Sequence, residues 1–258
     1  MQLTVRRARG FSLAEIAVVM VIVGLLIGGL LAPLSAQMDQ RSFTDTQKRI
    51  EYANELLLGF AIANGRLPCP ASSSSNGDES PSGGGTCTNY YDGYLPAKAL
   101  GMQPTDSSGY ALDAFNNRIR YALSKTGTLL PSSSCPASPL PPFSSSINLK
   151  ANGLQCVPAD LLVCSSSQAS GFSSTSCGTN NSLVNQNTVV AIVFSGGKNA
   201  AASDATRTDE LANTDGNATF VYHTPNPSGA TGGEYDDQMV WISAGLLYGR
   251  LVSAGVLP

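Results

Sequence analysis

The sequence predicts an α+β fold: one long N-terminal helix, apolar in its first half and amphipathic in its second, packed on a small antiparallel sheet with disulfide-closed loops. Three observations predict it. Residues 16–38 carry no charge, and helical spacing continues to Asn64 without a helix stop. Short β-branched and aromatic runs recur in the second half of the chain. All six cysteines lie beyond the apolar run.

The N-terminal stretch is Arg6-Arg7-Ala8-Arg9-Gly10-Phe11-Ser12-Leu13-Ala14-Glu15, followed by the apolar run Ile16 to Ala32. As a helix that run is long enough to cross most of a bilayer core, and backbone groups in lipid pair only within such a helix or a closed barrel. The preceding arginines place the N-terminus on the cytoplasmic side and the remainder outside. A secretory leader fits poorly, because the run exceeds the ~7–15 apolar residues of such leaders and Leu34-Ser35-Ala36 is a weak cleavage site. A plain anchor leaves Glu15 unexplained, since a carboxylate in an apolar span costs roughly 2.5–3.5 kcal/mol on insertion scales.

Gly10-Phe11-Ser12-Leu13-Ala14-Glu15 resembles the type IV prepilin signature, which the pseudopilins share. The resemblance implies a leader of residues 1–10, cleavage by prepilin peptidase between Gly10 and Phe11, and N-methylation of Phe11. It implies a transmembrane and filament-core helix over 11–34, and a periplasmic globular domain over 35–258 that includes the second half of the helix. Glu15 takes the family's assembly role, pairing with the N-terminal amine of a neighbouring subunit; a buried carboxylate is tolerated when a cation is delivered to it. Gly24 falls where the family often has glycine, while Pro33 lies one residue later than the proline common in pilins, which moves the expected kink.

From Ser35 to Asn64 there is no proline, and Phe43, Ile50, Ala53, Leu57, Phe60 and Ala61 form an apolar stripe among charged residues. Asn64-Gly65 is the stop, with Pro68 beyond. Four strands are expected: 118–123 after a turn at Asn116-Asn117, then 188–194, 218–222 and 238–243. They are expected to form one sheet against the helix. Asp113, Phe115, the Asn turn and Tyr121 are similar to the major-pseudopilin pattern at this place. The tail from Leu246 to Ala254 reads as a closing helix or strand. Tyr90, Tyr91 and Tyr94 read as partly buried packing residues, with a surface patch as the rival.

An even cysteine count in an exported domain argues for disulfides. Zinc is disfavoured because no C-x-x-C pair occurs and His223 is the sole histidine. Six cysteines allow 15 pairings. Sequential pairing, Cys69–Cys87, Cys135–Cys156 and Cys164–Cys177, is favoured because each bridge closes one Ser/Gly/Pro-rich loop.

The formal charge is -3, and losing the three leader arginines takes it to -6. A mildly acidic exported domain gives no electrostatic basis for general nucleic-acid binding. No catalytic set emerges, so no enzyme is expected. His223 reads as a surface or packing residue, no Gly-x-Ser-x-Gly elbow is present, and Ser195-Gly196-Gly197-Lys198 lacks the spacing of a phosphate loop. No cofactor is expected apart from one candidate, calcium. Acids crowd the C-terminal loops, and Gly233-Glu234-Tyr235-Asp236-Asp237-Gln238-Met239-Val240 is loosely similar to the calcium loop of major pseudopilins. The set is Asp215, Glu234, Asp236 and Asp237, with solvated loop acids as the alternative.

The expectation is therefore a structural subunit, a minor pilin or a type II secretion pseudopilin, inserted in the inner membrane and assembled with other pilins into a pilus or pseudopilus. Its size and long stapled loops favour a minor subunit. The alternative is a filament-tip adhesin or a DNA-uptake subunit.

Overall fold

The computed structural model describes residues 12–129, 133–135, 142–184, 187–201 and 204–257, excepting the side chains of 29–35, 129, 133 and 134. Gly10 and Phe11, and with them the expected cleavage and methylation point, lie outside the described residues. The chain divides into two compact units, Met1–Thr44 and Asp45–Pro258. Helix α1 (Leu13–Asn64) contributes its first part to one unit and the rest to the other.

Within the first unit every large apolar residue from Leu13 to Ile27 is exposed; Val23 is the least so, at 42%. Among the described residues nothing in the unit covers this surface. Among the described residues no helix is long and apolar enough to cross a membrane.

In the second unit α1 buries Ile50, Ala53, Leu57, Leu58 and Ala61. Leu58 holds the core place expected for Phe60. Phe60 is half-buried instead, with the Arg66 guanidinium 5.2 Å from its ring centroid. The helix stops at Gly65, whose φ of +66° is a left-handed cap and whose N–H donates to the Ala61 carbonyl at 2.8 Å.

The remaining elements follow in order: β1 (Gly93–Tyr94), α2 (Ala97–Leu100), β2 (Arg120–Leu123), β3 (Gly127–Leu129), β4 (Ser133–Ser134), α3 (Ser146–Asn152), β5 (Cys156–Pro158), β6 (Leu162–Cys164), β7 (Phe172–Ser173), β8 (Ser176–Cys177), β9 (Val189–Ser195), α4 (Thr208–Ala212), β10 (Thr219–Val221), β11 (Gln238–Ser243) and α5 (Ala244–Ser253). The main sheet has the order β1-β2-β9-β11, with every neighbouring pair antiparallel. Val193 faces Tyr121 on one side and Val240 on the other. All seven residues of β9 are buried because both faces of the sheet are covered. On one face Tyr121, Leu123, Val193 and Ile242 pack with α1 and with Leu247, Tyr248 and Leu251 of α5. On the other, Ala122, Ile192, Phe194 and Met239 meet Leu161, Val163 and Phe220.

The run 218–222 corrects the sequence reading. It is a strand, but it pairs in parallel with β6 in a separate two-stranded sheet, and the fourth place in the main sheet belongs to the two-residue β1. Phe220 meets Phe194 edge-on at 5.7 Å, so β10 covers the second face of the sheet rather than extending its edge. The tail is a helix. Ser243 caps it by accepting from the Leu246 N–H at 3.2 Å, and Gly245 and Gly249 lie on its exposed side. Sequential cysteines are joined, Cys69–Cys87, Cys135–Cys156 and Cys164–Cys177. Tyr90 is buried and Tyr91 and Tyr94 half-buried, as packing residues.

Buried carboxylates organise the loops. Asp113 Oδ1 accepts from the Phe115 and Asn117 N–H groups at 2.8 Å each, an Asx turn that lets Asn116 take φ +67°. Its Oδ2 accepts from the Ser195 hydroxyl at 2.5 Å. Burial pushes the Asp113 carboxyl up from its ordinary range. Arg49 of α1 donates to the Leu112 and Asp113 carbonyls, and Thr46 Oγ1 accepts from the Ala114 N–H, so helix and turn lock together.

Glu79 of the Cys69–Cys87 loop and Arg66, just before it, form a bidentate pair at 2.7 Å with both side chains under 10% exposed. Glu79 also accepts from the Cys69 and Gly83 N–H groups. Arg66→Met strands a buried carboxylate and is expected to cost about 3–5 kcal/mol, much of it recovered in the Arg66→Met/Glu79→Leu double variant. Urea denaturation of the three chains checks this; a single-variant cost below about 1 kcal/mol would remove the pair from the stability account.

Candidate functional site

Two places carry the sequence-predicted site residues. The first is the group of C-terminal acids. Glu210 of α4 meets Asp236 and Asp237, which lead into β11, with one oxygen from each lying within 4.8 Å of the others. Two of the four acids expected together are therefore present, and Glu210 takes a place the spacing did not assign. Asp215 lies elsewhere: it accepts from the Asn217 N–H at 3.0 Å, and burial, with the charge of Asp92, pushes its carboxyl up. Glu234 is exposed and acts on Asp236 by its charge alone.

Glu210 Oε1 accepts from the Asp236 N–H and from Asn199 Nδ2, and Oε2 from the buried Arg207 guanidinium at 2.5 Å. Asp236 Oδ2 accepts from the Lys198 N–H, and Asp237 Oδ2 from Asn213 Nδ2. Among the described residues, Asp236 Oδ1 and Asn199 Oδ1 are buried without a hydrogen-bond partner. Carboxylates are the donors that a hard cation such as calcium takes, and the orphaned Asp236 Oδ1 fits one. Arg207 already supplies one positive charge there and competes with such an ion. Burial above all, and then the neighbouring acids, push the Asp236 carboxyl up to about 6 and that of Asp237 well above its usual range.

The second place is the start of α1. Ser12-Leu13-Ala14-Glu15 closes a reciprocal cap: the Ser12 N–H donates to Glu15 Oε2 at 2.8 Å, and the Glu15 N–H donates to Ser12 Oγ at 3.2 Å. This is the S-x-x-E box that satisfies orphan donors at a helix start. Glu15 thus opens the apolar helix already hydrogen-bonded within its own chain. The sequence reading missed Ser12, although the S-x-x-E spacing was there to be read.

The model of the prokaryotic N-terminal methylation motif matches residues 5–31. This chain carries the type IV pilin and pseudopilin signature. The motif covers the expected cleavage point, Glu15 and the apolar first part of α1. No curated protein and no solved structure matches the chain.

His223 is a packing residue, stacked on Tyr235 with ring centroids 3.9 Å apart, and it is also paired. Its Nε2 lies 3.2 Å from Asp209 Oδ2. Asp209 also accepts from the hydroxyls of Ser166 and Ser167 and from the Ser167 N–H. The carboxylate stands between serine and imidazole. A nucleophilic serine needs the imidazole in the middle, so this trio is not arranged for that chemistry.

The raised Asp236 carboxyl sets a pH dependence. Between about 4 and 6 the folded chain holds a proton that the unfolded chain has released, so this group's contribution to stability falls as pH rises through that window. In chelator-containing buffer, Asp236→Asn is expected to raise Tm at pH 7 by about 2–4 °C, or about 1 kcal/mol after discounting for partial exposure. The gain should shrink toward pH 5. Equal Tm differences at both pH values, read by calorimetry, would contradict the assignment.

Proposed function

We propose that this chain is a non-enzymatic, pilin-like structural subunit, a minor pilin or type II secretion pseudopilin. The observation that carries the reading is the methylation motif at residues 5–31, which opens a helix whose large apolar residues from Leu13 to Ile27 are exposed. Such a surface must meet lipid or the same surface of other subunits, because leaving it in water costs roughly 25 cal/mol per Å².

In this reading residues 11–34 sit first in the inner membrane, with the globular domain in the periplasm. Prepilin peptidase removes residues 1–10, and Phe11 becomes a methylated N-terminus. The helix then passes from lipid into a filament core among other pilins. Glu15 exchanges its cap to Ser12 for a neighbouring subunit's amine, a cation brought to a carboxylate that would otherwise be stranded in an apolar core. Long stapled loops favour a subunit used sparingly over one repeated along the whole filament.

Calcium at Glu210, Asp236 and Asp237 belongs to the same proposal; the orphaned Asp236 Oδ1 favours it. Calorimetric titration should give saturable heat at millimolar calcium that Asp236→Asn abolishes, and a flat trace removes the ion.

Glu15→Ala is expected to leave leader removal intact and to reduce entry into filaments at least about ten-fold, the loss of a buried charge pair. Gly10→Leu is expected to block processing, seen as an unshifted intact mass. Quantitative mass spectrometry of sheared filaments and membranes reads both. Normal incorporation of the Glu15 variant would take Glu15 out of assembly, and an unprocessed wild-type chain would sink the reading as a whole.

A further inference from the structure

A pocket of about 380 Å³ opens where four segments of the globular unit meet. Tyr91 lies before β1, Asp160 and Leu162 at the start of β6, Ser174 and Thr175 at the tip of the β7–β8 hairpin, and Asn217 before β10. The volume falls in the range of about 300–1,000 Å³ that small-molecule sites occupy.

The chemistry of the lining narrows what can enter. Among the described residues no lysine or arginine lines the pocket, whereas Asp160 does and Asp215 stands behind Asn217. An anion therefore meets carboxylates and no counter-charge. Asp160 is no better placed to take a cation. Its Oδ1 accepts from the Ser124 hydroxyl and the Leu161 N–H, and its Oδ2 from the Tyr91 hydroxyl and the Lys125 and Thr126 N–H groups. These donors already fill the roughly four lone-pair sites of a carboxylate. What remains is neutral. Ser174 and Thr175 are exposed, and among the described residues neither hydroxyl has a protein partner. Asn217 Nδ2 donates one hydrogen to Asp215 Oδ2, which leaves the second for a ligand. Half-buried Tyr91 and Leu162 supply apolar surface. An uncharged ligand with an apolar face and hydroxyls at its edge suits this set. A sugar ring is such a ligand: its polarised C–H groups pack on an aromatic face, which carries partial negative charge, and its hydroxyls meet the polar rim.

The walls are held in place by the protein itself. The Tyr91 hydroxyl is fixed on Asp160 at 2.8 Å. The hairpin pairs Phe172 with Cys177 and Ser173 with Ser176, and the Cys164–Cys177 bridge ties it to β6, the strand that carries Leu162. Asn181 Nδ2 donates to the Ser166 and Cys177 carbonyls, which braces the same loop. A site that needs little ordering loses little affinity to entropy. We propose that this pocket binds one uncharged sugar residue of a glycan, packed against Tyr91 and hydrogen-bonded by Ser174, Thr175 and Asn217. The third disulfide loop then serves recognition, and the binding-subunit alternative gains a ligand class. The site does not depend on filament assembly.

Saturation-transfer NMR of the purified full chain tests it, in micelles of a detergent without a sugar headgroup. The probes are the methyl glycosides of glucose, galactose, mannose and N-acetylglucosamine, with sialic acid as the charged control. At least one neutral glycoside should give saturable transfer, and sialic acid should give none. Ser174→Ala/Thr175→Ala removes two exposed hydroxyls that hold nothing else, and should weaken binding about ten-fold, the loss of two hydrogen bonds. Ala159→Leu, which narrows the pocket, should abolish it. Absence of transfer to all four neutral probes, binding of wild-type strength in both variants, or a preference for sialic acid would overturn the site. Failure of leader removal in cells would sink the filament reading and leave this result untouched.

Discussion

The burial of β9 on both faces is the constraint on which the domain depends. A strand covered on one side alternates apolar and polar residues. Val189–Ser195 does not, and the seven residues are buried throughout. That demands two separate covers: α1 with α5 on one face, and β6 with β10 on the other. The covers are unequal. The helical side is a broad cluster closed by Leu247, Tyr248 and Leu251, whereas the second is a thin layer centred on Phe220 against Phe194. The acids, His223 and the Cys164–Cys177 loop all lie along the segments that form or border this thinner layer.

Much of the remaining chain is Ser-, Gly- and Asn-rich and cannot pack by apolar contact alone. Carboxylates take over that task. Asp113 gathers a turn, the end of β9 and, through its neighbours, α1. Glu79 gathers the first disulfide loop on Arg66. Asp160 accepts from Tyr91, Ser124 and three backbone N–H groups, and Asp209 gathers the third disulfide loop. Each substitutes a cluster of hydrogen bonds to one charged group for the core that such loops lack, and each bond to a charged group is worth more than a neutral one. The disulfides add to this by limiting the unfolded loops rather than by filling space.

The two ends of the chain answer different demands. At the start of α1 a carboxylate is held by a local cap, in a helix whose large apolar residues from Leu13 to Ile27 are exposed. The globular unit closes a core of its own, and three disulfides staple its loops.

The long helix, its stop at Gly65, the strands 118–123, 188–194 and 238–243, and the methylation motif were all legible in the sequence. They rest on local periodicity, turn residues and a contiguous signature. The sequential cysteine pairs were legible for a related reason, since each bridge spans one loop. What only the tertiary structure decided was long-range. It assigned 218–222 to a parallel pair on the far face, chose Glu210 over Asp215 and Glu234 as companion to Asp236 and Asp237, paired Arg66 with Glu79, and brought Asp209 to His223. Each of these joins side chains that lie apart in the chain, and no local spacing encodes such a meeting: it follows from which surfaces the two faces of β9 required.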